Sequence, residues 1–184
     1  MVSVQEYLNT SYSPDCDYVD GKIVERNVGE WDHSRLQASL ASYFYTREKQ
    51  FGLLVVTEQR VQVTATRFRI PDVCLVKAPA PGDQILYAAP FLCIEILSKD
   101  DRFAAMQERI DDYLNFGVKY VWVGSERRNS LRYRSGHPGT ARRDLAVWYP
   151  STITAIRVTA PNATTWMGKF WNATSAKGII VNCR

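Results

Sequence analysis

Apolar and polar positions change period several times along the chain, and each change predicts an element. VSVQEYL (2–8) reads as a short opening helix. In DYVDGKIVER (17–26), two short β-like runs flank Asp20-Gly21, a pair that supplies the positive φ angles of a tight hairpin turn. DHSRLQASLASYFYTREKQFG (32–52) has helical spacing. Leu36, Leu40, Tyr43 and Phe44 form its apolar stripe, Asp32 is placed to cap it, and Gly52 ends it. LLVVTEQRVQV (53–63) then reads as one strand and FRIPDVCLV (68–76) as the next, joined by Thr-Ala-Thr. A Pro-Gly loop leads to the strand FLCIEIL (91–97).

DDRFAAMQERIDDYLNFG (100–117) is a second helix, with Phe103, Met106, Ile110, Tyr113 and Leu114 on one face and Gly117 as its stop. VKYVWV follows as a strand, and the polar turn SERRN folds SLRYR back against it. Hairpin, helix, three strands, helix and two strands describe an α/β fold, a mixed central sheet covered by helices. Beyond residue 135 the texture changes: three of the five Trp and many Thr occur there, with one acidic residue. LAVWY and ITAIRVTA have strand character without an evident place in the sheet. The chain is therefore expected to divide into a body, 1–134, and a C-terminal tail, 135–184.

At 184 residues and 46% hydrophobic, the chain is long enough for one domain with its own core. It opens with neither a basic, apolar leader nor any run of roughly 18 apolar residues, so a cytoplasmic protein that does not span a membrane is expected. Cys16, Cys74, Cys93 and Cys183 include no CxxC pair, and two lie inside apolar strands, which favours reduced, buried thiols over a disulfide or zinc site. The net charge of +4 is uneven: residues 1–134 hold 17 Lys+Arg and 18 Asp+Glu, whereas the tail holds 6 and 1. Basic character belongs to the tail, so charge alone is weak evidence for a nucleic-acid partner. Asn162 and Asn172 begin N-x-T sequons, which mean little without a secretion signal.

Two carboxylates break the apolar pattern, Asp72 in IPDVCLV and Glu95 in FLCIEIL. Burying an acid without a partner costs several kcal/mol or forces it to stay protonated. By strand alternation, Asp72 shares a face with Ile70, Cys74 and Val76, and Glu95 with Phe91, Cys93 and Leu97. If the strands pair, both acids converge near one end of the sheet. A hard divalent ion such as Mg²⁺ or Mn²⁺ suits two such carboxylates. The bland alternatives are a turn after Pro71 for Asp72, and an ion pair with Arg60, Arg69 or Arg102 for Glu95. Taken together, the two acids favour the metal reading.

In order, YVDGKIVERN, DHSRLQ, TEQRVQV, RIPDVCLV, FLCIEILSKDD and RIDDYLNFGVKYVWV resemble the Uma family, grouped with restriction endonucleases in the PD-(D/E)XK nuclease superfamily. The resemblance covers roughly residues 5–134. It implies a restriction-endonuclease-like core and Mg²⁺-dependent hydrolysis of DNA phosphodiesters, with Asp72 and Glu95 as the metal-binding acids. Asp72 matches the Asp of the PD motif and Glu95 the acid of (D/E)XK. Glu58 and His33 match positions that the family fills in the same way, Glu58 as a further metal or water ligand and His33 as a cap or phosphate contact.

The superfamily lysine belongs two residues after Glu95, where this chain has Leu97. Many Uma-type sequences carry a lysine instead on the next helix, at the position of Arg109; Lys99 is the other nearby cation. The tail shows no resemblance to the family. DNA is the expected partner, a homodimer the form in which many such nucleases reach both strands. The competing expectation is a catalytically weakened DNA-binding or interaction module that keeps the fold.

Overall fold

The computed structural model describes residues 1–26, 30–98, 101–125, 130–135 and 144–147. Its elements are α1 (Val4–Asn9), β1 (Asp17–Val19), β2 (Lys22–Val24), α2 (Trp31–Tyr45), α3 (Glu48–Phe51), β3 (Leu53–Thr57), β4 (Val61–Thr64) and β5 (Arg67–Arg69). They continue with β6 (Val73–Lys77), β7 (Leu92–Leu97), α4 (Phe103–Phe116), β8 (Tyr120–Ser125), β9 (Ser130–Ser135) and β10 (Asp144–Val147). The fold is α/β, with a mixed central sheet flanked by helices, as in restriction endonucleases.

The hairpin forms as its turn residues dictate: Asp20 and Gly21 both take positive φ, and β1 pairs with β2 from Asp17↔Val24 to Val19↔Lys22. Elsewhere the long apolar runs break where the sequence reading kept them whole. The run from Leu53 to Val63 turns at Glu58, which sits at φ 52°, so β3 and β4 belong to different sheets. Ile70-Pro71-Asp72 likewise separates β5 from β6. Two sheets result, one ordered β2-β1-β5-β4 and the other β10-β9-β8-β7-β6-β3. A continuous apolar run shows burial along its length but does not show at which residue it changes sheet.

The first long helix also divides. Its chain leaves α-helix after Tyr45, resumes at Glu48 and ends on Gly52, whose φ of 65° is the left-handed stop that glycine accepts without strain. Glu30, not Asp32, occupies the N-cap of α2, and Asp32 lies in the first turn, where a negative charge still complements the helix dipole.

In the larger sheet, β7 and β8 run parallel through the α4 crossover, and the other described pairs are antiparallel. On one face, Leu36, Leu40 and Phe44 of α2 pack on Val73, Leu75, Leu92, Ile94 and Trp122. On the other, Met106, Ile110 and Tyr113 of α4 pack on Cys74, Val76, Cys93 and Val121, and also meet Val61 and Val63 of β4. α4 therefore contacts both sheets. Phe103, expected on the buried stripe, is 83% exposed at the first turn of that helix.

The expected boundary after residue 134 falls at the end of β9. β10 pairs with β9 from Asp144↔Tyr133 to Val147↔Ser130, which places Leu145–Val147 of LAVWY on the sheet edge. Residues 148–184, with the ITAIRVTA run, both sequons and Cys183, lie outside the described residues. Cys16, Cys74 and Cys93 are free and buried. Among the described residues, no helix is long and apolar enough to cross a membrane.

Candidate active site

The antiparallel register of β6 and β7, Val73↔Ile94 and Cys74↔Cys93, extends to place Asp72 opposite Glu95. Both acids are buried, 4% and 1% exposed. They lie on the face of Cys74 and Cys93, toward α4, because strand alternation sends Val73 and Ile94 to the α2 face. Asp72 stands just ahead of β6, in the bend after Pro71, where the chain passes from one sheet to the other.

Protein donors surround the pair. Asp72 Oδ2 accepts the backbone N–H of Ile96 at 2.6 Å, and Oδ1 accepts Arg26 Nη2 at 2.6 Å. His33 Nε2, from the first turn of α2, lies 3.4 Å from the same Oδ1. Glu95 Oε1 accepts the Tyr113 hydroxyl at 2.6 Å, and Oε2 is 3.5 Å from Arg109 Nη1. Arg109 Nε is in turn 3.4 Å from Asp17 Oδ2, a carboxylate buried on β1. Arg69 Nη1 approaches that oxygen to 3.1 Å, and Arg69 also reaches Asp112. The site thus joins the hairpin, α2, the β5–β6 bend, β7 and α4.

The arginines expected as simple partners of Glu95 are engaged elsewhere. Arg60 pairs with Asp15 at 2.6 Å, Arg69 serves Asp17 and Asp112, and exposed Arg102 is the N-cap of α4. Arg109 does not make the surface pairs expected of a helix arginine next to Glu108 and Asp112. Those acids bond Arg67 and Arg69, while Arg109 turns inward with 12% of its side chain exposed.

Glu58 is exposed; its Oε1 accepts Gln37 Nε2 at 3.3 Å, and the same amide donates to the Asp72 carbonyl at 3.0 Å. It therefore meets the backbone of Asp72, to whose carbonyl its own N–H also donates at 3.4 Å. Its left-handed backbone stores on the order of 1 kcal/mol, a cost that recurs at functional sites and sharp bends alike. Lys99 lies outside the described residues.

Burial raises Glu95 from the usual carboxylate value to about 7, with the Asp72 charge adding to the rise and Arg109, Arg26 and Tyr113 opposing it. Burial also raises Tyr113, with Glu95 beside it, so the phenol stays a donor. Burial works against the charge on Arg26, but Asp72, Glu95 and Asp17 more than offset it, and Arg109 is held charged by Glu95 and Asp17 in the same way.

Between pH 4.5 and 7 the folded chain keeps the Glu95 proton that the unfolded chain releases, so this group lowers stability as pH rises through that window. We expect wild type to lose on the order of 2 kcal/mol relative to Glu95→Gln between pH 5 and pH 8 in urea denaturation. A constant difference would mean that Glu95 is already ionised at pH 5.

Asp17, Arg26 and Tyr113 were not legible as site residues. Tyr113 reads as core from helical spacing, and Arg26 and Asp17 read as the polar ends of a hairpin. The one local signal was charge at the two ends of the hairpin, Asp17 and Arg26, and Tyr113 had none.

Residues 4–150 match the family described as "Uma2: Putative restriction endonuclease". The chain belongs to the Uma2 family. Its fold is similar to a crystal structure described as "a putative nuclease belonging to DUF820 from Anabaena variabilis ATCC 29413", at a TM-score of 0.70 and 20% identity. That likeness covers 85% of this chain and 90% of the other. Among curated proteins no match is found. Family and fold place the Uma2 chain with the PD-(D/E)XK nuclease superfamily.

Two hard carboxylates on one face are the right donors for a divalent ion such as Mg²⁺ or Mn²⁺. All four of their oxygens already face protein donors, however. Among the described residues, no group of three or more His, Cys, Asp or Glu is arranged to hold a metal. The donor chemistry fits the ion, and the present partners must yield for it to bind.

Proposed function

We propose that this Uma2 protein is a Mg²⁺-dependent endonuclease that hydrolyses DNA phosphodiesters, with Asp72 and Glu95 holding the ion. The observation that carries the reading is the placement of two buried acids opposite one another, Asp72 just ahead of β6 and Glu95 on β7, within a nuclease-superfamily fold. Bound there, a divalent cation supplies Lewis-acid polarisation of a phosphoryl oxygen and a more acidic water. The chain's own residues supply the rest. Asp72 is held in place by Ile96 N–H, and Glu95 by Tyr113, so neither carboxylate must be ordered when substrate arrives.

Arg109 takes the part of the missing superfamily lysine as a charge stabiliser. A guanidinium does not give up its proton near neutral pH, so it is a poor base, but it can donate two hydrogen bonds to a phosphate. Lys99 and Glu58 are assisting groups in this reading, and His33, beside Asp72, orients that carboxylate or contacts phosphate. The substrate is DNA, the site of action the cytoplasm, and a homodimer would let two sites reach both strands.

Arg109→Ala is expected to lower turnover by roughly tenfold to a thousandfold, and Arg109→Lys to recover much of it. Because Arg109 is buried against Glu95 and Asp17, the alanine variant should also melt lower than wild type. Lys99→Ala should do less harm. A dead Lys99→Ala beside a fully active Arg109→Ala would give the role to the lysine.

A second reading has its own support. Leu97 stands where the superfamily lysine belongs, and Arg26 and Arg109 already neutralise both acids, as a chain that binds DNA without cutting it could also be arranged. Cleavage of plasmid and single-stranded DNA, followed with Mn²⁺ and with EDTA, separates the two. Metal-dependent nicking supports the nuclease; binding without cleavage at any metal concentration supports the module.

A further inference from the structure

Arg26 stands against the buried acid pair. Its guanidinium lies 2.6 Å from Asp72 Oδ1, with side chains 6% and 5% exposed. Its charge also acts on Glu95 and Asp17, so it sits in the field of three carboxylates. Two buried acids on one face repel each other unless a cation stands by them. Arg26 is such a cation and belongs to the chain.

Asp72 has little other capacity to offer. Oδ2 is tied to the Ile96 N–H, an amide that would be left unsatisfied if the carboxylate moved away. Oδ1 is the oxygen that can be released, and Arg26 holds it at full hydrogen-bonding distance with His33 on its flank. Arg26 lies two residues beyond β2, outside both sheets' ladders, so its side chain can leave without breaking a strand pairing.

We propose that Arg26 is a displaceable internal counter-ion, which holds Asp72 Oδ1 when no metal is bound and competes with a divalent cation for it. The inference rests on the reading of Asp72 and Glu95 as the metal-binding pair and adds a cost to metal entry set by one residue. A buried charge that must lose its partner opposes binding, so affinity for a lone cation is weak until Arg26 withdraws.

The test is calorimetric titration of Mn²⁺ alone into the full chain at pH 8, above the value of about 7 for Glu95. Arg26→Met keeps much of the apolar stem without the charge, and Arg26→Gln keeps a hydrogen-bond donor for Asp72. Both are expected to bind Mn²⁺ at least about tenfold more tightly than wild type. Asp72→Asn added to either should abolish the gain. Without metal both should melt below wild type, and Mn²⁺ should raise their melting temperatures more than that of wild type. Should Arg26→Met fail to fold, Arg26→Gln decides.

Equal or weaker Mn²⁺ binding by the folded variants overturns the counter-ion role. If wild type then still binds Mn²⁺ and cuts DNA, the nuclease reading stands alone. Tighter binding without cleavage by wild type supports the counter-ion and removes the nuclease. No Mn²⁺ binding by any of the proteins overturns both.

Discussion

Glu95→Gln is expected to lower DNA cleavage by at least about a thousandfold, and Asp72→Asn to do the same, with the double variant little worse than either. The two acids act as one unit, so removing the first removes nearly all the effect. The substitutions differ in their cost to the fold. Glu95 sits where burial already pushes it up to about 7, so a neutral amide of the same shape suits the site near neutral pH. Tyr113 keeps an acceptor on it.

Asp72→Asn is harsher, because it leaves the buried Arg26 without its charge partner, a loss on the order of 3 kcal/mol. Activity of that variant must therefore be read on protein shown by circular dichroism to be folded. Pairing it with Arg26→Gln should recover part of the stability and none of the cleavage. Full activity in a folded Glu95→Gln would remove Glu95 from the chemistry.

The largest expected effect on stability is at Arg69, away from the reacting centre. Arg69 is 2% exposed and touches Asp17, itself 1% exposed, at 3.1 Å, and Asp112 of α4 at 2.7 Å. It joins β5 of the small sheet to β1 and to the helix that also carries Arg109 and Tyr113. Among the described residues, Arg69→Met would leave Arg109 and the Ile70 N–H to meet the buried charge of Asp17. Breaking one side of such a buried pair costs about 3–5 kcal/mol, a large part of what a domain of this size has.

Arg67, two residues earlier on β5, has 25% of its side chain exposed and also bonds Asp20, Glu108 and Asp112. Screened pairs of that kind are worth about 0–1 kcal/mol, so Arg67→Met should be mild. Urea denaturation of the two variants checks the contrast. Equal midpoints for Arg69→Met and wild type would show that the Arg69–Asp17 contact adds nothing to stability.

Replacing Asp17 by leucine together with Arg69→Met should cost less than Arg69→Met alone. The double exchange removes the buried Asp17 charge that Arg69→Met alone would strand, and it leaves Asp112 to Arg67 and Arg109 to Glu95. This variant separates loss of the ion pair from loss of packing.

The local elements were legible because short-range chemistry specifies them. Asp20-Gly21 marks a turn that needs positive φ, Gly52 and Gly117 mark helix stops, and spacing alone picks out Leu36, Leu40 and Phe44 as one buried stripe. The oddity of acids inside apolar runs singled out Asp72 and Glu95, since burial of a carboxylate always needs a compensating group. What surrounds them was decided by tertiary structure. Partners at sequence separations of 46 for Arg26–Asp72 and 18 for Tyr113–Glu95 leave no local pattern. Arg109 shows the same limit: its neighbours Glu108 and Asp112 offer surface pairs, yet it turns to Glu95 and Asp17 because Arg67 and Arg69 hold those neighbours. The breaks at Glu58 and Pro71, each of which divides an apolar run between two sheets, were hidden for a related reason. Hydrophobicity records that a residue is covered, and only the folded chain determines by what.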